Sequence, residues 1–259
     1  MLEWRRGTAI AADGARLAYW ATGDGTPLLL IAGQSVDHTS WRMAAPRLVE
    51  ERTLIVFDHR GIGESQIGER ERFTVRDFAA DAVAILASAG FERADVLGHS
   101  MGGMVAQWVA IDHPDRVRRL VLAATSSGLS NGTGRQVEAE RAVLSGRPDE
   151  IATVFWGDEH APEQRRELAA LLSVGRSRTA LRLHFGASAG HDSLSELGRI
   201  TAPTLVIHGA DDALVPLENA RILSRAIPTA HLTIVKRARH GIILDAGVGL
   251  SIADAFLRR

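Results

Sequence analysis

The chain has 259 residues, a hydrophobic fraction of 46%, a charged fraction of 24% and a formal net charge of −1, the balance of a globular protein long enough for a multilayer core. Near-neutral charge removes the electrostatic case for nucleic acid or an anionic membrane as partner, and Lys236 is the only lysine among many arginines. With no cysteine in the chain, disulfides, thiol nucleophiles and cysteine-ligated metal sites are excluded.

The start, MLEWRRGTAI, carries charge but no apolar h-region, so a secretory signal is not expected. The most apolar early stretch, residues 28–32, falls far short of the roughly 20 residues a membrane-spanning helix needs. The expectation is a cytoplasmic protein.

Residues 4–10 and 16–20 flank Asp13-Gly14, a hairpin signal. Strands are predicted at 28–31, 53–57, 95–97, 120–123, 204–208 and 232–235. These runs are apolar almost throughout rather than alternating, as parallel strands buried on both faces require. Amphipathic helices are predicted at 75–89, 101–111, 217–226 and 245–257, with Pro114 and Pro228 ending two of them. The alternation predicts an α/β fold: a mostly parallel central sheet, helices on both faces, and an antiparallel edge from the hairpin.

The rhythm breaks after Ala124, where TSSGLSNGTGRQ reads as loop and helical segments then run to about residue 185. It resumes at Ile200. Residues 1–124 and 191–259 are therefore expected to form the core, and residues 125–190 a helical cap over the C-terminal edge of the sheet.

Gly98-His99-Ser100-Met101-Gly102 stands between a predicted strand and a predicted helix. It fits G-x-S-x-G, in which a serine on a strained turn is pushed out at the sheet edge beside unpaired helix N–H groups. The bare motif is weak, and Gly186-Ala187-Ser188-Ala189-Gly190 matches it too. No buried strand precedes Ser188, so context selects Ser100.

A serine hydroxyl needs a base, and the base needs an orienting acid. TLVIHGADDALVP brings Asp211 and Asp212 after one predicted strand, and LTIVKRARHGIIL brings His240 after the last. Consecutive residues of an extended stretch face opposite ways, so one aspartate of the pair can face His240. Among the other histidines, His99 is expected to pack in the elbow and His208 to end a strand, while for His160, His184 and His191, in or beside the insertion, a plain surface role is expected over the alternative of a substrate contact. No H-E-x-x-H or similar spacing occurs, so no metal site is expected.

These motifs resemble the α/β-hydrolase fold family across nearly the whole chain. FDHRGIGES is similar to the family's D-x-R-G-x-G-x-S turn after the fourth strand, here read as structural rather than phosphate-binding, and GHSMGGMVAQ is similar to enol-lactonases of the 3-oxoadipate type and small esterases. The resemblance implies a catalytic triad of Ser100, His240 and Asp212, the last chosen over Asp211 by the family's spacing from Gly209 and Pro216. It also implies an oxyanion hole from the N–H groups of Gln34 and Met101. The family's usual His-Gly after the third strand is Ala32-Gly33 here, which leaves the backbone donor but changes the loop.

The implied activity is hydrolysis of a small-molecule carboxylic ester or lactone through an acyl-enzyme, with no cofactor. Serine at the elbow argues against the epoxide hydrolases and haloalkane dehalogenases, which use aspartate there. A C–C bond hydrolase, a thioesterase and a small-molecule receptor that keeps the triad remain alternatives. Phe155 and Trp156 form an aromatic pair inside the expected cap. They are candidates for the pocket wall or, equally, for an anchor of the cap.

Overall fold

Leucine and β-branched residues in short apolar runs, punctuated by glycine, proline and charge, form strands that share one sheet. In this computed structural model, residues 2–128, 130, 132–158, 160–172 and 177–259 are described. Leu129, Asn131, Glu159 and residues 173–176 of the expected insertion lie outside the described residues. The strands are β1 (Arg5–Ile10), β2 (Arg16–Thr22), β3 (Thr26–Ile31), β4 (Arg52–Phe57), β5 (Ala94–His99), β6 (Val117–Ala123), β7 (Thr204–Gly209) and β8 (Ala230–Val235). They pair in the order β1-β2-β4-β3-β5-β6-β7-β8. The β1–β2 and β2–β4 pairs are antiparallel and the rest parallel. This is the α/β hydrolase fold, a mostly parallel sheet with an antiparallel edge.

Every residue of β4, β5 and β7 is buried, which is why these strands read as unbroken apolar runs. Successive side chains nonetheless alternate between two cores. Leu29 and Ile31 join Phe78 and Ile85 of α2 (Val75–Ser88), Val105 of α3 (Met101–Asp112) and Leu223 of α8 (Glu218–Ala226). Leu28 and Leu30 join Leu48 of α1 (Ala45–Leu48) and Leu250 and Phe256 of α9 (Val248–Leu257) on the opposite face.

Between β6 and β7 the chain forms α4 (Val137–Ser145), α5 (Pro148–Phe155), α6 (Pro162–Leu171) and α7 (Arg178–Ala189). A bridge between Gly128 and Asp192 brings the two ends of this stretch together.

The structure departs from the sequence reading in places. Helix α9 begins at Val248 rather than at 245, because the Asp245 carboxylate accepts the Gly247 N–H at 2.8 Å, a local turn that competes with the helix. His184 and His191 are buried, at 1% and 4% exposure, instead of lying at the surface. His160 pairs with Asp245 across 2.7 Å. Among the described residues no helix is long and apolar enough to cross a membrane.

Candidate active site

Strand β5 ends at His99 and α3 starts at Met101, so one residue, Ser100, makes the whole turn. Its φ of 56° and ψ of −122° lie where a residue with a side chain is strained by about 1–3 kcal/mol. Neighbours hold it there: the Ser100 N–H donates to the Ala123 carbonyl at 2.9 Å, and its own carbonyl accepts the Thr125 hydroxyl at 2.7 Å. The motif glycines answer a packing demand. A Cβ on Gly98 would run into the Gly102 backbone, and one on Gly102 into the carbonyls of Ile31 and Ala32. Strands β3 and β5 and the first turn of α3 touch through these missing side chains.

The turn after β7 presents Asp212, and the loop after β8 presents His240. His240 Nδ1 lies 2.8 Å from Asp212 Oδ2, and His240 Nε2 lies 3.0 Å from Ser100 Oγ. Asp212 is buried at 4% exposure and Asp211 is exposed. Asp212 Oδ1 accepts the N–H groups of Leu214 and Val215 at 2.9 and 2.8 Å. Burial works against the carboxylate, but the hydrogen bond from His240, and the attraction of its imidazolium once that ring takes a second proton, outweigh it and hold Asp212 below its ordinary value. An ionised Asp212 only accepts, so the Nδ1 proton of His240 points to it and the Nε2 lone pair faces the Ser100 hydroxyl. That arrangement can draw the proton from Ser100.

His99 Nε2 donates to the His240 carbonyl at 2.8 Å, and His208 Nε2 donates to the Val215 carbonyl at 2.7 Å. Burial and the facing His240 push His99 down to about 3, so it stays neutral. Both imidazoles brace the backbone around the acid and the base. The expectation of packing for His99 omitted this bond.

The loop after β3 runs beside Ser100. A Cβ on Gly33 would stand 3.5 Å from Ser100 Cβ. Among the described residues no protein acceptor bonds the Gln34 or the Met101 N–H, and both residues line the same cavity as Ser100 and His240. That cavity holds about 550 Å³, within the usual range for small-molecule sites of about 300–1,000 Å³. Phe155 lines it and meets His240 edge-on, ring centroids 4.9 Å apart. Trp156 does not line it and packs behind, against Gly241. Ser188 sits inside α7 rather than on an elbow, and its hydroxyl donates to Gln34 Oε1 at 2.7 Å.

Among the described residues no cluster of histidine and carboxylate side chains could hold a metal ion.

The RutD protein of Variovorax paradoxus, provisionally named a carbamate hydrolase, is 30% identical over 84% of this chain and 85% of its own length. The 2-hydroxymuconate semialdehyde hydrolase of a Pseudomonas species is 28% identical over 90% of this chain and 87% of its own. A thermophilic esterase from Thermogutta terrifontis superposes with a TM-score of 0.79 at 26% identity, covering 99% of this chain and 98% of the esterase. The family model for the alpha/beta hydrolase fold matches residues 26–247. The chain belongs to the α/β-hydrolase fold family.

Proposed function

We propose that this protein is a serine hydrolase that cleaves a small-molecule carboxylic ester or lactone through an acyl-enzyme on Ser100. One observation carries the reading: the unbroken chain from Asp212 through His240 to Ser100, at 2.8 and 3.0 Å, which opens into the cavity beside two free backbone N–H groups. The family membership and the esterase relative support it.

In this reading His240 Nε2 takes the proton as Ser100 Oγ attacks the carbonyl carbon. The Gln34 and Met101 N–H groups stabilise the oxyanion, each worth about 3–4 kcal/mol where such donors have been removed. The intermediate collapses, the C–O bond breaks and His240 gives its proton to the departing oxygen. Water, deprotonated by His240, then releases the acid and restores Ser100. Helices α4–α7 act as a cap that encloses the acyl group.

The relative named for a semialdehyde favours a second reading, cleavage of a carbon–carbon bond beside a ketone by the same groups. Turnover of p-nitrophenyl acetate by purified protein, against the Ser100→Ala variant, tests the ester reading. An organophosphonate probe should label Ser100 alone. Label on Ser188, or equal rates in protein and variant, would overturn it.

A further inference from the structure

The proposed oxyanion loop carries strain at a residue that does no chemistry. Ser35 has a φ of 58° and is 2% exposed, a left-handed conformation that persists only where surrounding contacts over-determine it. Helix α7 supplies one contact: the Ser35 N–H donates to His184 Nδ1 at 3.3 Å. On its other side His184 Nε2 donates to the Arg60 carbonyl at 2.9 Å. A carbonyl only accepts, so the proton sits on Nε2 and Nδ1 keeps its lone pair for Ser35. The ring is fixed by Phe78 and His59, centroids 5.0 and 5.9 Å away.

One helical turn further on, the Ser188 hydroxyl has two acceptors in reach, Gln34 Oε1 at 2.7 Å and the Phe185 carbonyl of its own helix at 3.1 Å, and the shorter contact is the one to the Gln34 side chain. Positions i and i+4 share a face, so a single face of α7 grips two successive residues of the loop. At the loop's other end His59 Nε2 donates to the Ala32 carbonyl at 3.1 Å. Burial, with His184 adding to it, pushes His59 down to about 3, so it remains a neutral donor.

We infer that His184 and Ser188 are positioning residues: they set the Gln34 N–H where the developing oxyanion forms, so that α7 determines catalytic competence and not only enclosure. The second G-x-S-x-G tract then holds the hole for the first. The inference rests on the hydrolase reading for its catalytic consequence, but the clamp itself can be measured without turnover.

The test uses the full-length protein and three variants, with kcat and KM for p-nitrophenyl acetate and hydrogen exchange at the Gln34 and Ser35 amides. In the His184→Gln variant the amide sits at the Nε2 position, which keeps the bond to Arg60 and loses the acceptor for Ser35. In His184→Asn the amide sits at the Nδ1 position, which restores that acceptor. Loss of one hydrogen bond predicts a roughly fivefold to tenfold lower kcat for His184→Gln, with KM changed less than about twofold. Exchange at the Ser35 amide should speed up by a similar factor, and His184→Asn should recover most of both losses. Ser188→Ala, a milder change, should lower kcat roughly threefold and loosen the same amides.

A general packing role would make Gln and Asn equally harmful, and that pattern overturns the inference. So does strong hydrolysis with kcat and exchange unchanged in both His184→Gln and Ser188→Ala, which leaves the hydrolase reading standing. Faster exchange in His184→Gln, in a protein that neither hydrolyses esters nor takes the phosphonate, supports the clamp and removes the hydrolase reading.

Discussion

The Gly241 N–H donates to the Phe155 carbonyl at 2.8 Å, tying the loop that carries His240 to the C-terminal end of α5. The His240 N–H reaches the Val154 carbonyl at 3.3 Å, and Arg239 Nη1 reaches the carbonyls of Thr153 and Trp156 at 2.5 and 3.3 Å. The proposed base is thus seated partly on a helix of the β6–β7 insertion. Together with the grip of α7 on the loop after β3, this makes the insertion a structural part of the site.

Phe155 and Trp156 are adjacent in sequence but should behave differently. Phe155 lines the cavity, so Phe155→Ala enlarges it and should raise kcat/KM for p-nitrophenyl hexanoate relative to acetate. Trp156 is 2% exposed and outside the cavity lining. Trp156→Ala should therefore cost about 3–5 kcal/mol of stability, as large aromatic truncations in cores do, and leave the chain-length preference unchanged. Melting curves and the two rate ratios decide it. A shifted preference in Trp156→Ala alone would reverse the assignment.

Asp212 and Asp211 offer a sharper contrast. Asp212→Asn should lower kcat by roughly 10⁴, because an amide that can donate no longer enforces the Nδ1–H form of the base. Asp211→Asn, at an exposed turn, should cost less than about tenfold, through loop stability alone. Both variants need to be shown folded before ester hydrolysis is compared. Equal losses would mean that the aspartates share the task.

Buried parallel strands must be apolar on both faces, so β3 to β7 announced themselves as short continuous runs. Ser100, the Asp211-Asp212 pair and His240 stand out as candidates because they follow β5, β7 and β8, whose C-terminal ends a parallel sheet delivers to one edge, while the choice of Asp212 within the pair came from the family's spacing. What could not be read came from long-range contacts. The bond from Ser35 to His184 spans 149 positions, and a histidine in a helical stretch has no local pattern that distinguishes a buried clamp from a surface side chain. The start of α9 was missed for a local reason, since a side-chain bond from Asp245 outcompeted helix propensity that periodicity alone registers.

Arg60 of the turn after β4 makes two 2.6 Å contacts with Asp81 and a 2.7 Å contact with Asp13, with its side chain only 4% exposed. Burial raises Asp81 despite the guanidinium beside it. Arg60→Met would leave that carboxylate buried and unpaired, at a cost of about 3–5 kcal/mol. Adding Asp81→Leu should recover much of the loss, since a buried pair is weak evidence of net stabilisation. Urea denaturation of the single and double variants is the measurement. A single variant as stable as the parent protein would show that Asp81 finds another partner or takes up a proton without cost.

Stability should also fall on mild acidification. Burial keeps His59 and His99 neutral down to about 3 and His191 down to about 4, and it lowers His208 as well. In the unfolded chain an imidazole titrates near 6.5. Between that value and the folded ones, the unfolded state binds more protons, so stability rises with pH across the window and is complete above it. Each such histidine adds a slope of up to about 1.4 kcal/mol per pH unit. Asp212 acts in a different range. Its folded value lies below 3.8, so its contribution is present above the unfolded value and is lost only as pH falls through the folded one. Unfolding free energies at pH 7, 6 and 5 should therefore drop steeply, while the carboxylate stays ionised. The His99→Gln variant keeps an Nε2 donor for the His240 carbonyl but removes one titrating group. Its stability curve should be flatter than that of the parent protein by about one proton between pH 6 and pH 4. Parallel curves would mean that His99 is not held neutral in the folded protein.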